Sequence, residues 1–148
     1  MQLTQHTDYA IRTLLYALAH NQRLVTITEI ATFYQISRSH LAKVVASLTQ
    51  AGYLQGVRGK KGGLKLAHAP EDINIGALVQ QFEPLELAEC FGSKNTCLLS
   101  NQCKLKRALV KAKKAFLDVL KQYSLADLQV DPTKLPADIA VLHFHPPT

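Results

Sequence analysis

The sequence predicts a mainly α protein: a winged helix-turn-helix domain followed by a long C-terminal dimerisation helix. Three observations predict it. Between Thr26 and Gly52, two segments of helical apolar spacing, each opened by a capping residue, are separated only by a short turn. Directly after them, two short β-patterned runs flank Gly59-Lys60-Lys61-Gly62-Gly63. Late in the chain, Leu105, Leu109, Ala112, Phe116, Val119 and Tyr123 alternate spacings of four and three, which is a heptad seam.

The 148 residues suffice for one domain, or one domain with an oligomerisation element, and 47% of them are hydrophobic, enough to bury a core. The start, Met1 to Asp8, has neither a basic nor an apolar leader segment, and no apolar run approaches the ~20 residues that span a bilayer. The expectation is a cytoplasmic protein with reduced thiols and no membrane partner. The net charge of +6 suits a nucleic-acid partner, although a basic balance also serves simple solubility. No nucleotide-binding glycine loop follows a strand, and no constellation of carboxylates and histidine marks a catalytic centre, so an enzyme is not expected.

The first helix is expected over residues 7–20, with Tyr9, Ile11, Leu14, Leu15 and Leu18 recurring at helical spacing and Thr7 as its cap. Asp8 falls in the first turn, where the helix dipole favours a negative charge, and Arg12 lies one turn on as an ordinary ion-pair partner. Residues 24–26 suit a short strand. Thr26 and Glu29 form a capping box that opens a helix to about Phe33. Ser37 caps the next helix, which ends at Gly52 and buries Leu41, Val44, Val45 and Leu48. Its outer face carries Ser39, Lys43 and Gln50, with His40 and Ser47 on the flank.

This grammar places the second helix of the pair in a major groove, with Arg38, Ser39, His40 and Lys43 near the base edges. Two packed helices with a solvated face would show the same spacing. The hairpin changes the balance. Arg58, Lys60 and Lys61 put three cations at its tip with no acid beside them, and such charges neutralise backbone phosphates. The expected partner is double-stranded DNA.

A further helix is expected over residues 73–82, ended by Glu83-Pro84. The next stretch, 84–103, reads as loop and holds every cysteine of the chain: Cys90, Cys97 and Cys103. Thiolates are soft ligands, so three of them together point to zinc, copper(I) or an iron–sulfur cluster. Zinc fingers pair cysteines more closely and supply four ligands. Three ordinary small apolar residues are the plain alternative.

The long helix is expected over residues 104–123, with one more turn to Leu128. Its seam suits pairing with a second copy, and packing against the chain's own winged domain would produce the same pattern. Lys104, Lys106, Arg107, Lys111, Lys113 and Lys114 precede its first acid, Asp118. They suit DNA, an anionic cluster or solvent equally. The organisation is then 1–83 for DNA binding, 84–103 for the cysteine loop, 104–128 for dimerisation and 129–148 for an irregular tail.

Several stretches together carry a family resemblance: Met1-Gln2-Leu3-Thr4 with Thr7-Asp8-Tyr9, residues 36–45, Gly52-Tyr53-Leu54, residues 57–63, residues 75–79, Glu83-Pro84-Leu85, the three-cysteine loop and residues 123–128. In these the chain resembles the winged-helix iron–sulfur regulators typified by IscR and NsrR, and among them the nitric-oxide-sensing, NsrR-type members. The resemblance implies a homodimeric, cytoplasmic repressor whose long helices cross and whose DNA target is an inverted repeat. It implies an iron–sulfur cluster held by Cys90, Cys97 and Cys103, 4Fe–4S before 2Fe–2S, although the six-residue gap between the first two cysteines does not decide the type. It further implies a fourth ligand from the first helix of the other subunit, where Asp8 stands. IscR-type members use a histidine three residues after the third cysteine; here that residue is Lys106. Nitric oxide is the implied signal. Alternatives from the same residues are a thiol-based redox regulator, a structural zinc protein and an iron–sulfur electron carrier.

Overall fold

Thr4, rather than Thr7, opens the first helix. The computed structural model describes residues 2–130, and in it α1 spans Gln5–Ala19. The Thr4 hydroxyl accepts from the Thr7 amide at 3.3 Å, while Thr4 N and Oγ1 both donate to Glu83 Oε2, at 2.9 and 3.0 Å. Glu83 lies far along the chain, so a long-range contact chooses the cap. Thr7 is left fully buried in the core.

The helix pair forms as its caps dictate. α2 spans Ile27–Tyr34 and α3 spans Arg38–Gln50. Thr26 Oγ1 accepts from Glu29 N and donates to the Glu29 carboxylate, both at 3.2 Å. The turn is made by Gln35 in the left-handed region at φ 54°, and Ser37 Oγ takes the His40 amide at 3.2 Å. Gly52, at φ +83°, stops α3 where a residue with a Cβ would be strained.

The wing is an antiparallel hairpin of β1, Leu54–Val57, and β2, Gly63–Leu66, with Leu54 opposite Leu66 and Val57 opposite Gly63. Val25 adds a one-residue bridge to Leu64, which is what becomes of the short strand expected at 24–26. The core is one cluster in which Leu14, Ile30, Leu41, Leu48, Ile73, Leu78 and Leu125 are fully buried.

Two boundaries differ from expectation for a single reason. α4 spans Ile75–Phe82, starting two residues late, and α5 spans Lys104–Leu120, ending three residues early. Ile73 is buried but extended, because its carbonyl accepts from Leu125 N at 2.8 Å. The Lys121 and Tyr123 carbonyls turn to the Asn74 side chain and the Ile75 amide. The start of α4 and the end of α5 therefore terminate each other. Phe116, Leu117 and Leu120 pack α5 against the core, whereas Leu105, Val119 and Tyr123 of the seam stay 65%, 53% and 45% exposed. Residues 126–128 make one short turn. Of the expected tail, residues 131–148 lie outside the described residues.

Candidate nucleic-acid interface and thiol loop

α3 is set in the pair so that Leu41, Val44, Val45 and Leu48 are buried and Arg38, Ser39 and Lys43 are exposed on its outer side. His40 differs from these. It is half-buried, its ring edge-on to Tyr9 of α1 with centroids 5.2 Å apart, on the flank where its helical position puts it. Arg58, Lys60 and Lys61 are all exposed at the hairpin tip.

Between α2, α3 and the wing runs an open cleft of about 670 Å³. Arg38 and Arg58 both line it, so one cation from the helix and one from the wing face a shared space. Thr26 and Thr28, at the start of α2, line it too. Sequence reasoning does not pick out these threonines as interface residues. The capping box is the available signal, since it already places them at an exposed helix start.

The loop that carries the thiols lies outside the core. Cys97 is exposed, Cys90 and Cys103 are half-buried, and all three are free. Short local bonds shape the loop. Glu89 Oε1 accepts from Thr96 N at 2.9 Å and Thr96 Oγ1 at 2.6 Å, which holds the Glu89 carboxyl below its usual range. Asn95 Oδ1 accepts from Cys97 N at 3.0 Å, and Ser100 Oγ donates to Cys97 O at 2.9 Å. Cys103 is itself the N-cap of α5, its Sγ accepting from Lys106 N at 3.3 Å.

The structure thus places the three thiols in one loop without bringing them to one point. Among the described residues no group of three or more His, Cys, Asp and Glu stands ready to hold a metal ion. The donor set nonetheless fits a soft metal or cluster, because three free thiols sit where no core packing opposes their convergence.

Asp8 lies in the first turn of α1, half-buried, and is part of no group of three or more His, Cys, Asp and Glu among the described residues. Arg12 holds it with two bonds, Nε to Oδ1 at 3.0 Å and Nη2 to Oδ2 at 2.8 Å. The Arg12 guanidinium also lies 6.0 Å from the Tyr9 ring and 5.8 Å from the Tyr34 ring. The Tyr34 hydroxyl donates to Arg12 O at 3.1 Å, and burial pushes that phenol up to about 12. Among the described residues no helix is long and apolar enough to cross a membrane.

Residues 3–131 match the Rrf2 family, described as "Iron-dependent Transcriptional regulator". The chain is 48% identical over 140 residues to the HTH-type transcriptional regulator NsrR of Halalkalibacterium halodurans, covering 93% of this chain and 96% of that one. It is 47% identical to the regulator of the same name from Bacillus licheniformis, covering 86% and 92%. In fold it is similar to T. potens IscR, with a TM-score of 0.71 at 24% identity over 92% of this chain and 93% of that one. It is also similar to CymR, the global cysteine regulator of B. subtilis, with a TM-score of 0.68 at 23% identity over 86% and 95%.

Proposed function

The chain belongs to the Rrf2 family of transcriptional regulators, and from that premise we propose that it is a homodimeric, cytoplasmic repressor whose grip on DNA depends on an iron–sulfur cluster and is released by nitric oxide. The observation that carries this reading is the gathering of every cysteine of the chain, free and outside the core, in one loop that caps α5. The relatives named NsrR, at 45–48% identity, support the same signal.

Cys90, Cys97 and Cys103 would hold the cluster, with Asp8 of the partner subunit as its oxygen ligand. When bound, the cluster supplies iron that reacts with nitric oxide. An oxygen donor holds iron less firmly than a thiolate, so the Asp8 corner is the labile one. The work of the protein is done by its own residues. With the cluster bound, the loop of one subunit and α1 of the other would be tied together through Asp8. Released, Asp8 has a ready partner on its own helix, Arg12. A carboxylate that could either ligate the cluster or pair with Arg12 would give the dimer two states, each with its own distance between the α3 helices. Half-sites of an inverted repeat lie about 34 Å apart, or a multiple of that, so a change in this distance costs affinity.

On DNA, Arg38, Ser39, His40 and Lys43 present the base-reading side of α3, and Arg58, Lys60 and Lys61 reach phosphates from the wing. The test of the cofactor is iron, sulfide and zinc analysis of anaerobically purified protein, with its visible absorption spectrum. Iron and acid-labile sulfide together are expected. Zinc, or three thiols free of metal under those conditions, would overturn the reading.

A further inference from the structure

The helix α5 is held very differently at its two ends. At its start, Cys103 is its cap and no residue from 103 to 116 is buried. The packing there is light: Lys113 Nζ lies 5.9 Å from the Phe91 ring, and Phe116 reaches the core edge. At its far end the hold is tight. Asn74 Nδ2 donates to Lys121 O at 2.7 Å, while Asn74 Oδ1 accepts from Ala77 N at 2.9 Å and so caps α4. One side chain thus serves the end of one helix and the start of another. Ile75 N donates to Tyr123 O at 3.0 Å, Leu125 N donates to Ile73 O at 2.8 Å, and Leu125 is fully buried.

Gly76 completes the joint. A Cβ there would stand 2.5 Å from Lys121 N and 2.8 Å from Lys121 Cα, so the two backbones meet only because the residue is glycine. α4 packs in turn on α1, and α1 on α3, so the joint belongs to the body that carries the DNA-facing helix.

We infer that the joint of α4 with the end of α5 is the fixed pivot through which the thiol loop acts on the DNA-binding unit, with Asn74 and Gly76 as its positioning residues. The inference rests on the proposed cluster-dependent DNA binding. A 17-residue helix is a lever of about 25 Å. Movement at the Cys103 end reaches the winged domain as a rotation only if the Lys121 end does not slip. A slipping joint would let loop and domain each function while uncoupling them.

Asn74→Asp separates the two roles. Aspartate caps a helix as well as asparagine does, so Ala77 keeps its acceptor, but it cannot donate to Lys121 O. Gly76→Ala forces the backbones apart by another route. The measurements are hydrogen exchange of the cluster-free proteins and the ratio of DNA affinities with and without the cluster. In Asn74→Asp the Ala77 amide should stay protected while the Ile75 and Leu125 amides exchange faster. Both variants should load the cluster with a wild-type spectrum, and the affinity ratio should fall about tenfold towards unity. A purely structural role would lower both affinities together and leave the ratio alone. A wild-type ratio in both variants would overturn the pivot, as would unchanged exchange at Ile75 and Leu125 in both. A wild-type protein with no difference between the two states would instead sink the cluster-dependent reading itself.

Discussion

Asp8 is held by Arg12 one turn along the same helix, through two bonds of 3.0 and 2.8 Å between half-exposed side chains. An exposed pair of this spacing is worth roughly 0.3–0.5 kcal/mol, and the first-turn charge adds about as much again. Asp8→Ala should therefore cost the cluster-free protein no more than about 1 kcal/mol in chemical denaturation. In the loaded protein the same change should speed cluster loss and flatten the dependence of DNA affinity on the cluster. Retention of both would remove Asp8 from the ligand set.

Whether ligation crosses between subunits is read by mixing two variants with impaired clusters. Asp8→Ala and Cys97→Ala, combined in a verified heterodimer, place both defects at one site and leave the other complete. Half of the heterodimer's sites should then carry a normal cluster spectrum. No normal sites would mean that Asp8 serves its own chain, and a normal spectrum in the Asp8→Ala homodimer would mean that it is no ligand.

The thiols stand outside the core, with Cys97 exposed and the other two half-buried. Cys90→Ala, Cys97→Ala and Cys103→Ala should each abolish a stable cluster and leave the thermal transition of the cluster-free protein within a few degrees of wild type. Leu48→Ala supplies the contrast. Its side chain is fully buried, and truncating it should cost about 2–5 kcal/mol. A cysteine variant with full iron content would contradict the assignment.

On DNA, the wing and α3 should separate by their salt dependence. Lys60→Ala or Lys61→Ala should weaken specific and random DNA alike and reduce the log–log salt slope by roughly 0.9 for each phosphate that is no longer neutralised. Arg38→Ala and Lys43→Ala should change sequence preference, at about 1–3 kcal/mol for a good bidentate pairing with a base. His40→Ala should act on both recognition and folding. Its ring packs on Tyr9, so part of its effect, about 0.5–1.5 kcal/mol, should appear as reduced stability. Equal effects of all these variants on random and selected DNA would place sequence reading elsewhere.

The parts of the fold legible in the sequence are those fixed by neighbours in the chain. Thr26 with Glu29, Ser37 with His40, and Gly52 set their helix ends through bonds or backbone angles within a few residues. The hairpin follows from its glycines and flanking apolar pattern. The family resemblance is legible for the same reason, being spread over many short motifs, and the relatives at 45–48% identity bear it out.

What is not legible depends on residues far apart. Thr4 displaces Thr7 as cap because Glu83 reaches back to it. Ile73 looks helical by its spacing but is drawn into an extended bridge by Leu125, and α5 stops at Leu120 because Asn74 takes the Lys121 carbonyl. The heptad seam does not say which side of α5 meets its own chain. The structure divides the helix, burying Leu117 and leaving Leu105 and Val119 open. The Asp8–Arg12 pair is readable from its spacing. The meeting of Arg38 with Arg58 at one cleft is not, because the wing's fold-back decides it.

The central claim is that the cluster state sets DNA affinity, and one titration tests it most directly. Anaerobically purified, iron-loaded protein is bound to an inverted-repeat DNA selected from a random pool, and nitric oxide is added stepwise while affinity and the cluster's visible absorption are followed together. The account predicts that affinity falls in step with the loss of absorption, and that Asp8→Ala shows a smaller fall. DNA affinity that stays constant while the absorption disappears would contradict it.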